Sequence, residues 1–142
     1  MSEEAFVPRF TPNPEGLHAE FYGFCARGEL RFQRCTACDA WRHPPRILCP
    51  RCGAEAWGWT ASSGRGTVYT WTVTHQALVP VFAEDLPYAV VVVELAEGVR
   101  LVSALRGIAP AAITLNLPVE VRFHRMSDTI GLHWFVPASA AR

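Results

Sequence analysis

The chain has 142 residues, 50% of them hydrophobic, and its 13 basic and 13 acidic side chains leave no net charge. This composition excludes a disordered chain and a global field that would draw nucleic acid or an anionic membrane to it. All 13 basic residues are arginine, and the absence of lysine excludes Schiff-base chemistry, a phosphate-loop lysine and a lysine general base.

No apolar run approaches the ~20 residues that span a bilayer. The opening Met1-Ser2-Glu3-Glu4 is acidic and precedes Pro8 and Pro12, the wrong start for a secretory signal, so a cytoplasmic protein is expected. Residues 1–12 show no periodicity and read as an extended arm. Asn13-Pro14-Glu15 then offers an N-cap, a proline for the first turn and an early carboxylate. Leu17, Phe21, Phe24 and Cys25 recur at steps of three and four until Gly28 supplies a stop. This spacing predicts an amphipathic helix over about 13–27, serving as a lid on the next module or as a docking helix. Cys25 on its apolar stripe is expected to be a core residue.

Cys35-Thr36-Ala37-Cys38 and Cys49-Pro50-Arg51-Cys52 follow, two Cys-x-x-Cys pairs separated by ten residues. Each pair points two sulfurs the same way, and two facing pairs supply the tetrahedral thiolate shell that Zn2+ prefers. Iron in a rubredoxin-like redox site is the alternative, and the spacing alone does not separate the two metals. Four protein ligands close the shell, so the ion is expected to be structural. His43 is a reserve ligand candidate. Gly53 follows the second pair, but Asp39 takes the matching place after the first, which predicts a less regular first knuckle. Leu30, Phe32, Trp41 and Ile47 suit the short strands of a ribbon over about 29–60. At its tip, Arg42-His43-Pro44-Pro45-Arg46 sets two arginines around a rigid diproline, predicting outward side chains able to bind a ligand.

From Ser62-Ser63-Gly64-Arg65-Gly66 onward the pattern is one of strands, predicted near 66–76, 88–95, 99–106, 118–126 and 132–137, with Glu97-Gly98 as a tight turn. Five strands with an irregular segment at 107–117 match an OB-like Greek-key barrel; a small sandwich is the fallback. The domain organisation expected is arm and helix at 1–28, ribbon at 29–61 and barrel at 62–142. Tyr69, Trp71 and Val73 alternate with Thr70, Thr72 and Thr74, so the aromatic set, like Phe123, Trp134 and Phe135, reads as core and less as a base-stacking platform. Glu94 and Glu120 are expected to pair with Arg100 and Arg122 across the sheet. The Ser62–Gly66 loop lacks a Walker lysine and enters a strand, which favours a domain junction with Arg65 free to contact a ligand. His75, His124 and His133 stand at no motif spacing to a nucleophile or acid, and there is no Gly-x-Ser-x-Gly elbow, so no catalytic constellation is found.

The order of Cys35 to Cys52, Pro44-Pro45-Arg46, Ser63-Gly64-Arg65-Gly66-Thr67-Val68-Tyr69, Pro87-Tyr88, Glu97-Gly98-Val99-Arg100 and Pro118-Val119-Glu120-Val121 resembles the zinc-ribbon plus OB-fold proteins catalogued as domain-of-unknown-function family thirty-five. The resemblance covers about residues 13–137; Asp39 departs from the usual glycine. It implies a mainly β chain with an N-terminal helix, a rubredoxin-like zinc ribbon and a five-stranded OB-fold barrel. It also implies a non-catalytic partner of thiolases, thiolase-like lipid-transfer proteins or MaoC-type enoyl-CoA hydratases, able to bind acyl-CoA or bridge enzymes. The arginines expected to meet a CoA phosphate are Arg46 and Arg65, then Arg42. The alternative function is an OB-type single-stranded nucleic-acid binder.

Overall fold

The computed structural model describes residues 8–139, so the first seven residues of the predicted arm lie outside it. One α-helix, α1 (Gly16–Ala26), is followed by a three-stranded sheet and a closed five-stranded barrel. The sheet holds β1 (Arg31–Cys35), β2 (Trp41–Arg42) and β3 (Trp57–Ala61) in the order β2-β1-β3, all antiparallel. The barrel holds β4 (Arg65–Thr74), β5 (Tyr88–Leu95), β6 (Arg100–Leu105), β7 (Pro118–Arg125) and β8 (Gly131–Pro137). Its order is β4-β5-β6-β8-β7, closed by β4 against β7, with β6 and β8 parallel and the other pairs antiparallel. This is the Greek-key closure of an OB fold, as expected. Among the described residues no helix is long and apolar enough to cross a membrane.

Local chemistry accounts for the differences from the predicted elements. The helix begins at Gly16, whose φ of 58° breaks the run from Asn13, and its N-cap Glu15 makes no side-chain cap. The chain between β4 and β5 adds a 3-10 turn at Pro80–Asp85, and the segment before β7 adds another at Pro110–Ala112. On β4 the register with β5 shifts between Val68 and Thr70. That bulge reverses the alternation, because side chains on a strand have period two and one extra residue moves the following set to the other face. Val68 is fully buried and Tyr69 is 46% exposed, so the core reading of Tyr69 is corrected, while Trp71 packs against the core.

The core is shared across the chain. Phe21 and Cys25 of α1, Leu30 and Phe32 of the ribbon, and Val68, Val91, Val93, Leu101 and Phe135 of the barrel form one buried cluster. The helix is therefore not a lid on the ribbon alone: it packs against β7 and β8 as well as β1. Gly131 lets β8 begin against the helix end, since a Cβ there would collide with the backbone of Cys25 and Ala26. Phe135 faces the core while Trp134 is 5% exposed on the opposite side of β8, a strand covered on both faces.

Candidate functional site

The ribbon brings Cys35, Cys38, Cys49 and Cys52 together, with all four sulfurs within 4.8 Å of one another. Cys35 Sγ lies 3.6 Å from Cys52 Sγ and Cys38 Sγ lies 3.7 Å from Cys49 Sγ, and none is in a disulfide. A tetrahedron with metal–sulfur bonds of ~2.3 Å has edges of about 3.8 Å, so the four residues fit a single tetrahedral ion. The two knuckles are built alike. The Asp39 amide donates to the Cys35 carbonyl at 3.0 Å, and the Gly53 amide donates to the Cys49 carbonyl at 2.9 Å. Asp39 has φ 63° and Gly53 has φ 77°, and Asp is among the residues that tolerate the left-handed region. The expectation of a less regular first knuckle is corrected accordingly.

Inward amides favour a thiolate at two of the four cysteines. Amides of Cys52 and Arg51 hold Cys49 down to about 6, and those of Cys38 and Ala37 lower Cys35, while Cys38, despite the Ala40 amide, is pushed up to about 12 by desolvation and the other three sulfurs. Cys25 stands apart: burial pushes its thiol up to about 12, as suits an inert core residue. His43 is no ligand. Its ring packs between Phe21 (4.9 Å between centroids) and Phe32 (5.3 Å), and burial, with the fields of His133, His18 and Arg46, holds it down to about 4.

The three arginines singled out in the sequence part company. Arg42 is 4% exposed, not outward as the diproline suggested. Its Nε donates to Gln33 Oε1 (3.1 Å) and its Nη2 to the carbonyls of Arg46 (2.9 Å) and Ile47 (3.3 Å), with the guanidinium above the Trp57 ring. Gln33, wholly buried, completes the brace by donating to the Arg46 carbonyl (2.8 Å) and accepting from the Arg46 amide (2.7 Å). A buried cation is costly unless its donors are used; Nε and Nη2 are used here and pin the ribbon tip from within, while the buried Nη1 has no hydrogen-bond partner among the described residues. Arg46 itself is exposed on that tip, and Arg65 is exposed at the start of β4.

The Ser62–Gly66 loop already holds an anion of the chain's own. The Glu97 carboxylate accepts from the Ser62 and Ser63 hydroxyls and from the Ser63 amide (3.3 Å), tying the junction to the β5–β6 turn. Arg100 pairs with Glu94 across the strands at 3.1 Å. Arg122 instead meets Glu120, two residues away on its own strand, at 2.8 Å. One pairing was not foreseen: Ser103 Oγ lies 2.7 Å from His133 Nδ1 and 3.2 Å from the His133 carbonyl. Strand pairing, not sequence spacing, brings them together. Burial alone holds His133 down to about 4, no described carboxylate orients the ring, and Phe21 and Tyr22 pack against it. The pair satisfies two buried polar groups and is not a nucleophile–base arrangement supported by a third residue.

Comparison with known proteins agrees with this architecture. A family model of the ChsH2 rubredoxin-like zinc ribbon domain matches residues 24–58, and one of the ChsH2 C-terminal OB-fold domain matches 59–124. The chain belongs to the ChsH2 zinc-ribbon and OB-fold family. The boundary between the two ChsH2 domains falls within β3, which stays paired to β1 as far as Ala61. The chain is 42% identical over 135 residues to a probable enoyl-CoA hydratase alpha subunit of Thermomonospora curvata, covering 95% of this chain and 41% of the relative. It is 38% identical over 100 residues to the 3-oxo-4,17-pregnadiene-20-carboxyl-CoA hydratase alpha subunit of Mycobacterium tuberculosis, covering 70% and 31%. The chain thus spans less than half the length of these two ChsH2-like relatives. A DUF35 domain-containing scaffold protein of Methanocaldococcus jannaschii is 31% identical over 96 residues, 67% of each chain. Among solved structures, a chain described as Ltp2-ChsH2(DUF35) aldolase superposes with a TM-score of 0.77 at 36% identity, covering 94% of this chain and 100% of that one.

Proposed function

We propose that this chain is a non-catalytic accessory subunit of an acyl-CoA enzyme complex, partnering a thiolase-like aldolase or a MaoC-type enoyl-CoA hydratase and bridging enzymes or holding acyl-CoA. The observation that carries this reading is the match, over 94% of this chain, to a solved chain described as Ltp2-ChsH2(DUF35) aldolase. Relatives described as hydratase alpha subunits and as scaffold proteins support it. In this reading Cys35, Cys38, Cys49 and Cys52 hold a structural Zn2+ that fixes the ribbon, and the protein works in the cytoplasm, where thiols stay reduced. Arg46 and Arg65 are the residues proposed to meet CoA phosphates. Arg42 contributes by bracing the tip, since it is buried and its Nε and Nη2 bond inside the ribbon.

The nucleic-acid reading is less well supported, because the Arg100 guanidinium stands over one face of the exposed Tyr69 ring at 3.8 Å. The test is an affinity pull-down of tagged protein from its native lysate at low salt, with mass spectrometry of what is retained near stoichiometrically. An acyl-CoA hydratase or thiolase-like aldolase in the eluate is the expected result. Nuclease-sensitive material without such an enzyme would replace this reading with oligonucleotide binding.

A further inference from the structure

The barrel carries more apolar surface than its own folding uses. Along β5 the residues Ala89, Val91 and Val93 point inward and are buried, and Leu101, Ser103 and Leu105 do the same on β6. The core is thereby complete. Yet the outward residues of the same strands are also apolar: Val90 pairs with Ala104 and Val92 with Val102, and Val102 is 63% exposed. A continuous apolar strand is the mark of one buried on both faces, whereas a strand with one face in water alternates apolar with polar. Here one face has the barrel core, and the other is only partly covered: Val90 and Val102 are exposed and Val92 and Ala104 half-buried.

The surface beside this face continues it. The loop before the Pro80–Asp85 turn leaves Leu78 87% exposed, with Val79 and Val81 also exposed. Between that loop and the outward valines runs a groove of about 310 Å³ lined by Phe82, Tyr88, Val90, Val102 and Ala104 among others. Two charged residues, Asp85 and Arg106, line the groove, and both are engaged within the chain: Asp85 accepts from Arg9 at 3.1 Å, and Arg106 is not left without a partner. On the strands beyond the groove, Arg100 meets Glu94 while lying over Tyr69. In OB folds the face of the second and third strands, with the loop that joins the first to the second, is where ligands are received. That face is β5, β6 and the 75–87 loop here, and it offers neither free stacking rings nor unpaired cations to a polyanion.

We infer that this face docks a folded enzyme subunit through an uncharged apolar ridge that enters the groove beside Phe82. The inference rests on the accessory-subunit reading and names the surface that serves it. A small ligand in the groove would cover Val90, Val102 and Ala104 but leave Leu78 and Val79 beside it in water; a macromolecular surface spans both. The barrel is closed, so no strand can be added at this face and contact is made by side chains. Its neutrality matches the apolar centre of a stable interface, ringed by paired charges, and not an electrostatically steered encounter.

Tagged wild-type chain, Val102→Asp, Leu78→Asp and, as a control at an exposed apolar residue outside the groove, Leu115→Ser are each used to capture from the native lysate, and the acyl-CoA hydratase or aldolase-type subunit is quantified by mass spectrometry. Both aspartates replace exposed side chains, and melting curves verify that the variants stay folded. The expected result is an at least tenfold loss of the enzyme subunit with either aspartate variant and retention with Leu115→Ser, with hydrogen-exchange protection over 77–90 and 100–106 in the wild-type complex. Retention by folded Val102→Asp and Leu78→Asp at the wild-type level overturns the docking face while leaving the accessory reading intact. Wild-type chain that retains no such enzyme overturns both. Self-association of the purified chain that the aspartates abolish also overturns the proposal, since a second copy would then own the face.

Discussion

Phe21 joins the three parts of the molecule, and its replacement by alanine tests whether they fold as one. The ring is 2% exposed and sits 6.2 Å from Phe32, 4.9 Å from His43 and 5.8 Å from His133 between centroids, so it touches ribbon and barrel from the helix. Deleting a buried phenyl ring costs about 3–5 kcal/mol from lost transfer energy and the cavity left behind. For a chain of this size that is a fall in Tm of about 10–20 °C. Because Leu30 and Phe32 share one cluster with Val68, Val91 and Phe135, ribbon and barrel should lose stability together. The assay is guanidinium unfolding of metal-loaded protein with two probes: metal release to a chromogenic chelator for the ribbon, and far-ultraviolet circular dichroism, dominated by the barrel. The curves are expected to coincide in the wild type and to move together in Phe21→Ala. Earlier metal release with an unmoved circular dichroism curve would refute the shared-core reasoning.

Replacing Cys49 by serine removes one corner of the sulfur tetrahedron; metal content by plasma mass spectrometry should fall well below one ion per chain, with zinc and not iron in the wild type. The buried imidazoles of His43 and His133, both held near 4, impose a pH dependence. The unfolded state takes up protons as pH falls from about 6.5 toward 4 while the folded state resists, so stability is full above about pH 6.5 and is lost below it. The loss is about 2 kcal/mol per histidine at about pH 5. His43→Phe, which also removes the unpartnered Nδ1, should flatten the pH dependence of the urea midpoint; an unchanged slope would show that His43 is not its source. Arg46 and Arg65 replaced together by alanine should weaken CoA binding in calorimetric titrations, and equal affinity would remove them from that role.

The metal centre was legible because a Cys-x-x-Cys turn carries its geometry in its spacing, and four thiols in two such turns have one arrangement that serves them all. The barrel was legible from strands such as Tyr88–Leu95, where six apolar residues run from Tyr88 to Val93 after a proline and before a tight turn. What escaped was set by contacts distant in sequence or by single backbone angles. Tyr69 was assigned to the wrong face because a bulge is invisible in alternation. Arg42 is expected outside because nothing local announces that Gln33, nine residues earlier, meets it in a buried pair; Gln33 stands between Phe32 and Arg34 on a strand, Arg31–Cys35, that is itself largely polar. The helix start was misplaced by the positive φ of Gly16, which a sequence offering Asn13 and Pro14 as cap and first turn does not display. Ser103 and His133 were thirty residues apart and met only through barrel closure. The outward valines of β5 and β6 were present in the pattern, but only the closed barrel separates the face that builds the core from the face left for a partner.

The central claim is that this chain serves an acyl-CoA enzyme without doing its chemistry. The direct measurement is turnover of an acyl-CoA substrate by the purified chain alone, by the captured enzyme alone and by the two recombined. The account predicts no turnover by the chain alone and a rise in the enzyme's kcat/KM on recombination that Val102→Asp abolishes. Turnover by the isolated chain, or an enzyme equally active with and without it, would contradict the account.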